Sequence, residues 1–148
     1  MQRLMILLFA AVGAALVAGS LAVAQAKDPF EAARAKAASG DIQGALQIYQ
    51  DLTRQHPESA EAFAHLGGMQ LLDQRYQDAV RSFQQAVTLG DETARSFIGM
   101  GMAYLHLGQL GPARAAFVEA QQRGNDRPDD IADIIAWIDA RDPTQGRH

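Results

Sequence analysis

Residues 60–93 align with residues 94–127 without an insertion, and residues 26–59 fall into the same frame, so the chain repeats itself at a period of 34. A unit of that length accommodates two helices and two turns. Neither helix of such a unit can bury its apolar stripe alone, so each unit must stack on the next. A helical bundle around one centre has no reason to keep a constant period through three units. The expected product is a stacked array that presents a surface, not a centre that assembles a reaction site.

The columns that repeat are those a helical hairpin needs. Ala33, Gly67 and Gly101 form one column of small residues, and Ala45, Ala79 and Ala113 form another. Small side chains let backbones approach, so these positions mark where the first helix of a unit crosses the second. Tyr49, Phe83 and Phe117 follow the alanine column by one helical turn on the same face. Ile42, Tyr76 and Leu110 open each second helix. Gly40 and Gly108 occupy the tight turn, where the middle unit has Gln74.

These residues resemble the tetratricopeptide repeat family over residues 26–127. The second unit reads Phe63, Leu66-Gly67, Ala79, Phe83 and Ala86, and the third reads Phe97, Gly101, Tyr104, Ala113, Phe117 and Ala120. The helix-ending proline of the family survives as Pro57, and Asp91 stands in its place in the second unit. The fold implied is all-α: a right-handed α-solenoid of three helix–turn–helix units over residues 27–127. Residues 128–142 add a C-terminal capping helix, and residues 143–148 a frayed tail.

The N-terminus bears on location. A short basic head ending in Arg3 precedes the apolar run from Leu4, and Ala22-Val23-Ala24-Gln25-Ala26 offers Ala-x-Ala twice. That three-part layout is a signal peptide, cleaved after Ala26 or Ala24. Its rival is an uncleaved anchor: Leu4 to Ala24 is 21 uncharged residues, and at ~1.5 Å per residue that helix spans a bilayer core of roughly 30 Å. In either case the repeats are exported. The protein is expected to be periplasmic, or anchored in the inner membrane with the repeats outside the cytoplasm.

Asp28-Pro29-Phe30-Glu31 reads as a helix start with an Asp cap and Pro at the first position. Ser59 and Asp91 read as caps of the third and fifth helices, Pro112 as the start of the sixth, and Gly90 and Gly124 as C-terminal glycines. Pro128-Asp129-Asp130 opens a seventh helix, on which Ile131, Ile134, Ile135 and Ile138 share a face flanked by Trp137. A solenoid leaves its last apolar face bare, and this helix is spaced to cover it. The alternative use is a detachable helix that docks on a partner or a second copy.

Several chemistries are excluded or unsupported. The chain has no cysteine, which removes disulfides, thiolate metal sites and a Cys nucleophile. The four histidines, His56, His65, His106 and His148, show no paired metal-ligand spacing. Asp28, Asp41, Asp91, Asp129 and Asp130 lie at helix starts, where capping accounts for them. A net charge of −4 lacks the basic footprint of a nucleic-acid binder. No enzyme activity, cofactor or metal is expected.

The family resemblance implies that the first helices of the units line a concave groove. With the helical period it points Arg34, His65, Leu71, Arg95, Ile98, Met102 and Leu105 inward as peptide-binding residues. Apolar residues would seat one or two anchors of an extended or helical peptide, and Arg34 and Arg95 would meet a carboxylate or acidic side chain. The family's two-carboxylate clamp is not reproduced: of its positions only Arg95 carries a suitable charge, and Phe30, Arg34, His65 and Gly99 occupy the others. Two functions follow. One is a non-enzymatic adaptor of the bacterial-type cell envelope that holds a peptide segment of a partner protein and serves complex assembly. The other is a permanent structural subunit of a larger membrane or periplasmic complex, or a self-associating chain.

Overall fold

In the computed structural model, which describes residues 28–141, the 34-residue period becomes three antiparallel helix pairs. The first pair is α1 (Glu31–Ala38) and α2 (Ile42–Gln55), the second α3 (Ala60–Leu72) and α4 (Tyr76–Thr88), the third α5 (Ala94–His106) and α6 (Leu110–Gln122). A seventh helix, α7 (Pro128–Asp139), follows. Residues 1–26 and 143–148, to which the sequence assigns an export or anchor segment and a frayed tail, lie outside the described residues.

The small-residue columns do what their spacing requires. Ala33, Ala45, Ala79 and Ala113 are all fully buried. Gly67 lies against the ring of Phe83, where a Cβ would come 3.0 Å from ring carbons, and Gly101 lies against Phe117, where a Cβ would come within 2.8 Å. The second helix of the second and third units therefore places its aromatic side chain in the space that the first helix leaves empty. Burial of these rings, each worth several kcal/mol if lost (~3–5 for Phe→Ala), supplies much of the hairpin's cohesion.

The turns inside the hairpins share one conformation. Gly40, Gln74 and Gly108 all have positive φ, at 82°, 62° and 70°. Glycine adopts this region at no steric cost, whereas Gln74 holds it against its own Cβ. The middle turn is thus kept by its surroundings and not by local preference.

Helix starts depart from the sequence expectation in three places. α1 begins at Glu31: Asp28 accepts from the Phe30 amide at 2.9 Å and closes a turn around Pro29 ahead of the helix. α5 begins at Ala94, and Asp91 accepts instead from the Thr93 amide at 2.9 Å and the Ser96 hydroxyl. α6 begins at Leu110, so Pro112 is its third residue. Proline is tolerated there because the first-turn amides have no intrahelical acceptor. Ser59 caps α3 as expected, accepting from the Ala62 amide at 3.2 Å.

α7 lies on the third pair. Ile131 and Ile138 are buried with Ala113 and Phe117, and Ile134, Ile135, Leu105 and Leu110 pack around them. Arg114 of α6 reaches Asp139 of α7 with both Nε and Nη2. Trp137 remains 46% exposed, with the Arg141 guanidinium 4.1 Å above its ring.

Candidate functional site

The stacking of α3 and α5 side by side, with α7 turned across the end of the array, encloses a groove of about 920 Å³. Its floor is apolar and stepped. Ala60, Ala64 and Ala94 keep it deep, and Ile98, Met102 and Ile134 give it relief. The small residues come from the first helices of the units, which is where a solenoid must be slim to stack.

Four of the seven residues expected to line a groove do so: His65, Arg95, Ile98 and Met102. The other three lie elsewhere. Arg34 sits on α1, ion-paired to Asp28 at the edge of the array. Leu71 packs on the core cluster of Val80, Phe83 and Phe97 between the second and third pairs. Leu105 packs on the cluster beneath α7 and faces Trp137 across a small apolar recess of about 380 Å³. Both leucines lie near the C-terminal ends of their helices, where the inter-unit core reaches round to the inner face.

His65 is held by its neighbours. Its ring stacks on Tyr49 of α2, with centroids 5.1 Å apart and planes 9° from parallel, and the Phe30 ring lies 6.0 Å away. Glu61, one turn earlier on α3, approaches its Nε2 to 3.7 Å. Burial pushes the imidazole pKa below its ordinary value; Glu61 opposes this, while Arg34 and Arg95 add to it. The ring thus meets the groove as a neutral donor and acceptor near pH 7.

The Asp91 side chain is the other fixed polar group of the rim. Burial disfavours its charged form, but the Ser96 hydroxyl and the Thr93 amide outweigh that and hold its carboxyl below the ordinary value. Arg95 also favours this charge. Arg95 itself makes no ion pair within 4 Å among the described residues.

The loop Gly124–Arg127 and the first turn of α7 complete the wall. Sequence reasoning gave α7 a role in covering core and missed its second face. The missed signal is the pairing of Asp126, Arg127 and Asp130 with an apolar Ile131-x-x-Ile134 step, a charged edge beside an apolar one. A second overlooked residue is Arg114. Its counterparts two and one repeats earlier are Leu46 and Val80, both buried, and the change to arginine marks where α7 supplies Asp139.

Among the described residues, no group of three His, Asp or Glu side chains is placed to hold a metal. What the geometry provides is an open apolar trough with a mixed-charge rim on a stack of helix pairs, the architecture of an α-solenoid binding module. The tetratricopeptide repeat profile matches residues 30–92 and 73–128, and the chain belongs to that family, whose members are protein-interaction scaffolds.

Solved structures share the fold. PcrH in complex with the chaperone-binding region of PopD superposes with a TM-score of 0.71 at 18% identity, over 76% of this chain and 90% of that one. The Yersinia enterocolitica type III secretion chaperone SycD, in complex with a peptide of the translocator YopD, gives 0.71 at 18% identity over 76% and 91%. The second TPR domain of human RPAP3, in complex with an HSP70 peptide, gives 0.67 at 20% identity over 74% and 91%. Comparison with curated protein sequences gives no match.

Proposed function

We propose that this chain is a non-enzymatic adaptor of the bacterial-type cell envelope that holds a peptide segment of a partner protein in the groove between α3, α5 and α7. The observation that carries the reading is the trough itself, with half-buried Ile98 and Met102 on its apolar floor between polar rims. A volume of about 920 Å³ is sufficient for two or three side chains of an extended or helical segment. PcrH, SycD and RPAP3 were each solved with a peptide or binding region of a partner, which supports the same use here. Placement in the envelope rests on the basic head, apolar run and Ala-x-Ala of residues 1–26.

Two measurements test this. N-terminal sequencing of the native protein should find a chain beginning at Lys27 or Gln25; a chain that begins at Met1 and needs detergent for extraction replaces secretion with anchoring. A photo-crosslinking side chain at Ala64, in the groove, should trap partner-derived peptide, and one at Arg81, exposed on α4, should not. The reverse pattern would move the binding face to the outer helices.

A second reading, the self-associating or permanently bound subunit, draws on the exposed Trp137 beside the recess formed with Leu105 and Ile134. Sedimentation velocity separates the two: a monomer over the micromolar range favours the adaptor, and a dimer dissociated by Trp137→Ser favours self-association.

A further inference from the structure

The groove's charges do not balance. Its rim carries four carboxylates, Glu61, Asp91, Asp126 and Asp130, against two guanidiniums, Arg95 and Arg127. Each arginine acts on a carboxylate of the rim, Arg127 at close range and Arg95 without an ion pair. Arg127 lies 3.9 Å from Asp130, and Arg95 stands near enough to Asp91 to favour its charge. Neither Glu61 nor Asp126 makes an ion pair with an arginine among the described residues, although Arg34 acts on Glu61 at longer range. The group beside Glu61 is His65, at 3.7 Å, half-buried in its stack on Tyr49 and neutral near pH 7. Asp126 has no ion pair among the described residues, and it lies in the loop that joins α6 to the wall-forming α7.

We infer that the groove selects a cationic peptide: an apolar side chain seated against Ala64, Ile98 and Met102, with a lysine or arginine beside it that reaches Glu61 or Asp126. The inference rests on the peptide reading above and names the chemistry of its ligand. It reverses the polarity that Arg34 and Arg95 suggest in the sequence, because the charge of Arg34 is taken up by Asp28 and Arg95 shares the rim with Asp91. Even at an exposed rim an unmatched carboxylate attracts a cationic side chain and repels an acidic one, so charge sets selectivity while the apolar floor sets depth. The chain's overall charge of −4 acts in the same direction at longer range.

Three dye-labelled peptides test it, alike except that lysine, serine or glutamate flanks a central pair of leucines. Each is titrated against the full chain by fluorescence anisotropy at low and at physiological salt. The lysine peptide should bind a few-fold more tightly than the serine peptide, with the gap narrowing as salt rises, and the glutamate peptide should bind weakest. Asp126→Asn combined with Glu61→Gln should bring the lysine peptide to the serine level. Asp126→Asn alone, on an exposed loop, should close part of the gap without disturbing the fold, as circular dichroism will verify. Equal affinity for the three peptides, preference for glutamate, or a lysine preference that survives the double variant overturns the charge inference and leaves the peptide groove standing. If none of the peptides binds, or if binding survives Ile98→Asp, the groove reading fails and takes this inference with it.

Discussion

The two ends of the solenoid are finished differently. α1 is eight residues long and buries a single residue, Ala33. α5, its counterpart two repeats later, is thirteen residues long and buries seven. Beyond α5 and α6 the chain adds α7, which buries Ile131 and Ile138 on the last hairpin and fastens Asp139 to Arg114. In a stacked array each unit is stabilised by its own packing and by the interface with each neighbour. Among the described residues the first pair has one such interface and the third has two. The array is therefore graded, with a loose edge at α1 and a closed one at α7, and the groove lies toward the closed edge.

The largest test of that grading compares aromatic truncations. Phe117→Ala, at a fully buried ring that meets Gly101 and lies beneath α7, should lower stability in urea by about 3–5 kcal/mol. Phe30→Ala, at a half-buried ring of the first pair, should cost no more than about half of that. Equal losses would show that the array unfolds as one block whichever end is cut.

Uncovering the closed end comes next. Ile131→Asp with Ile135→Asp should cost about 2–4 kcal/mol in lost burial and promote aggregation seen by size-exclusion chromatography. A soluble monomer of unchanged urea midpoint would mean that α7 protects nothing, and the docking-helix alternative would move ahead.

Between the two ends the turns sharpen the picture. Gln74→Gly relieves a positive φ that Gly40 and Gly108 tolerate freely, and should raise stability by about 0.5–1 kcal/mol in thermal unfolding. No gain would show that the middle turn draws compensating contacts from its glutamine.

The smallest effect is that of pH. The folded chain binds a proton at His65 more weakly than the unfolded chain does, because burial depresses its pKa. Above the unfolded value of 6.5 neither form is protonated there; as pH falls through 6.5 the unfolded chain takes the proton first and stability declines. Asp91 acts in the same direction at lower pH. Its carboxyl lies below 3.8 in the folded chain, so the stability it lends is present above that value and fades as the solution acidifies further. His65→Gln should flatten the first decline and leave the second.

Most of the fold was legible because its determinants are local and repeated. Ala45, Ala79 and Ala113 recur at the crossing, Tyr49, Phe83 and Phe117 fill the space that the small column leaves, and three copies of one pattern multiply a weak signal. The helix starts at Asp28 and Asp91 were less legible, since an aspartate serves an Asx turn as well as a cap and only the backbone decides between them. The groove was half legible. His65, Arg95, Ile98 and Met102 follow from helical phase within one unit. Leu71 and Leu105 depend on how far the neighbouring unit reaches round, and Arg34 depends on Asp28, a partner six residues away in a turn of its own. The contribution of Asp126 and Asp130 arises where a non-repeating segment folds back over a repeating one, and no period could announce it.

One side of α7 carries a consequence beyond covering core. Ile131 is at once a buried member of the last hairpin's cluster and part of the groove wall. On the proposed peptide reading, a ligand that rests on Ile131 would bind only with the terminal helix seated, so seating and occupancy would be coupled. A ligand present at a hundred times its dissociation constant adds about 2.7 kcal/mol to whatever already holds that helix down. The same coupling would let the Arg114–Asp139 bridge, at the far end of α7, adjust affinity for a ligand it never touches.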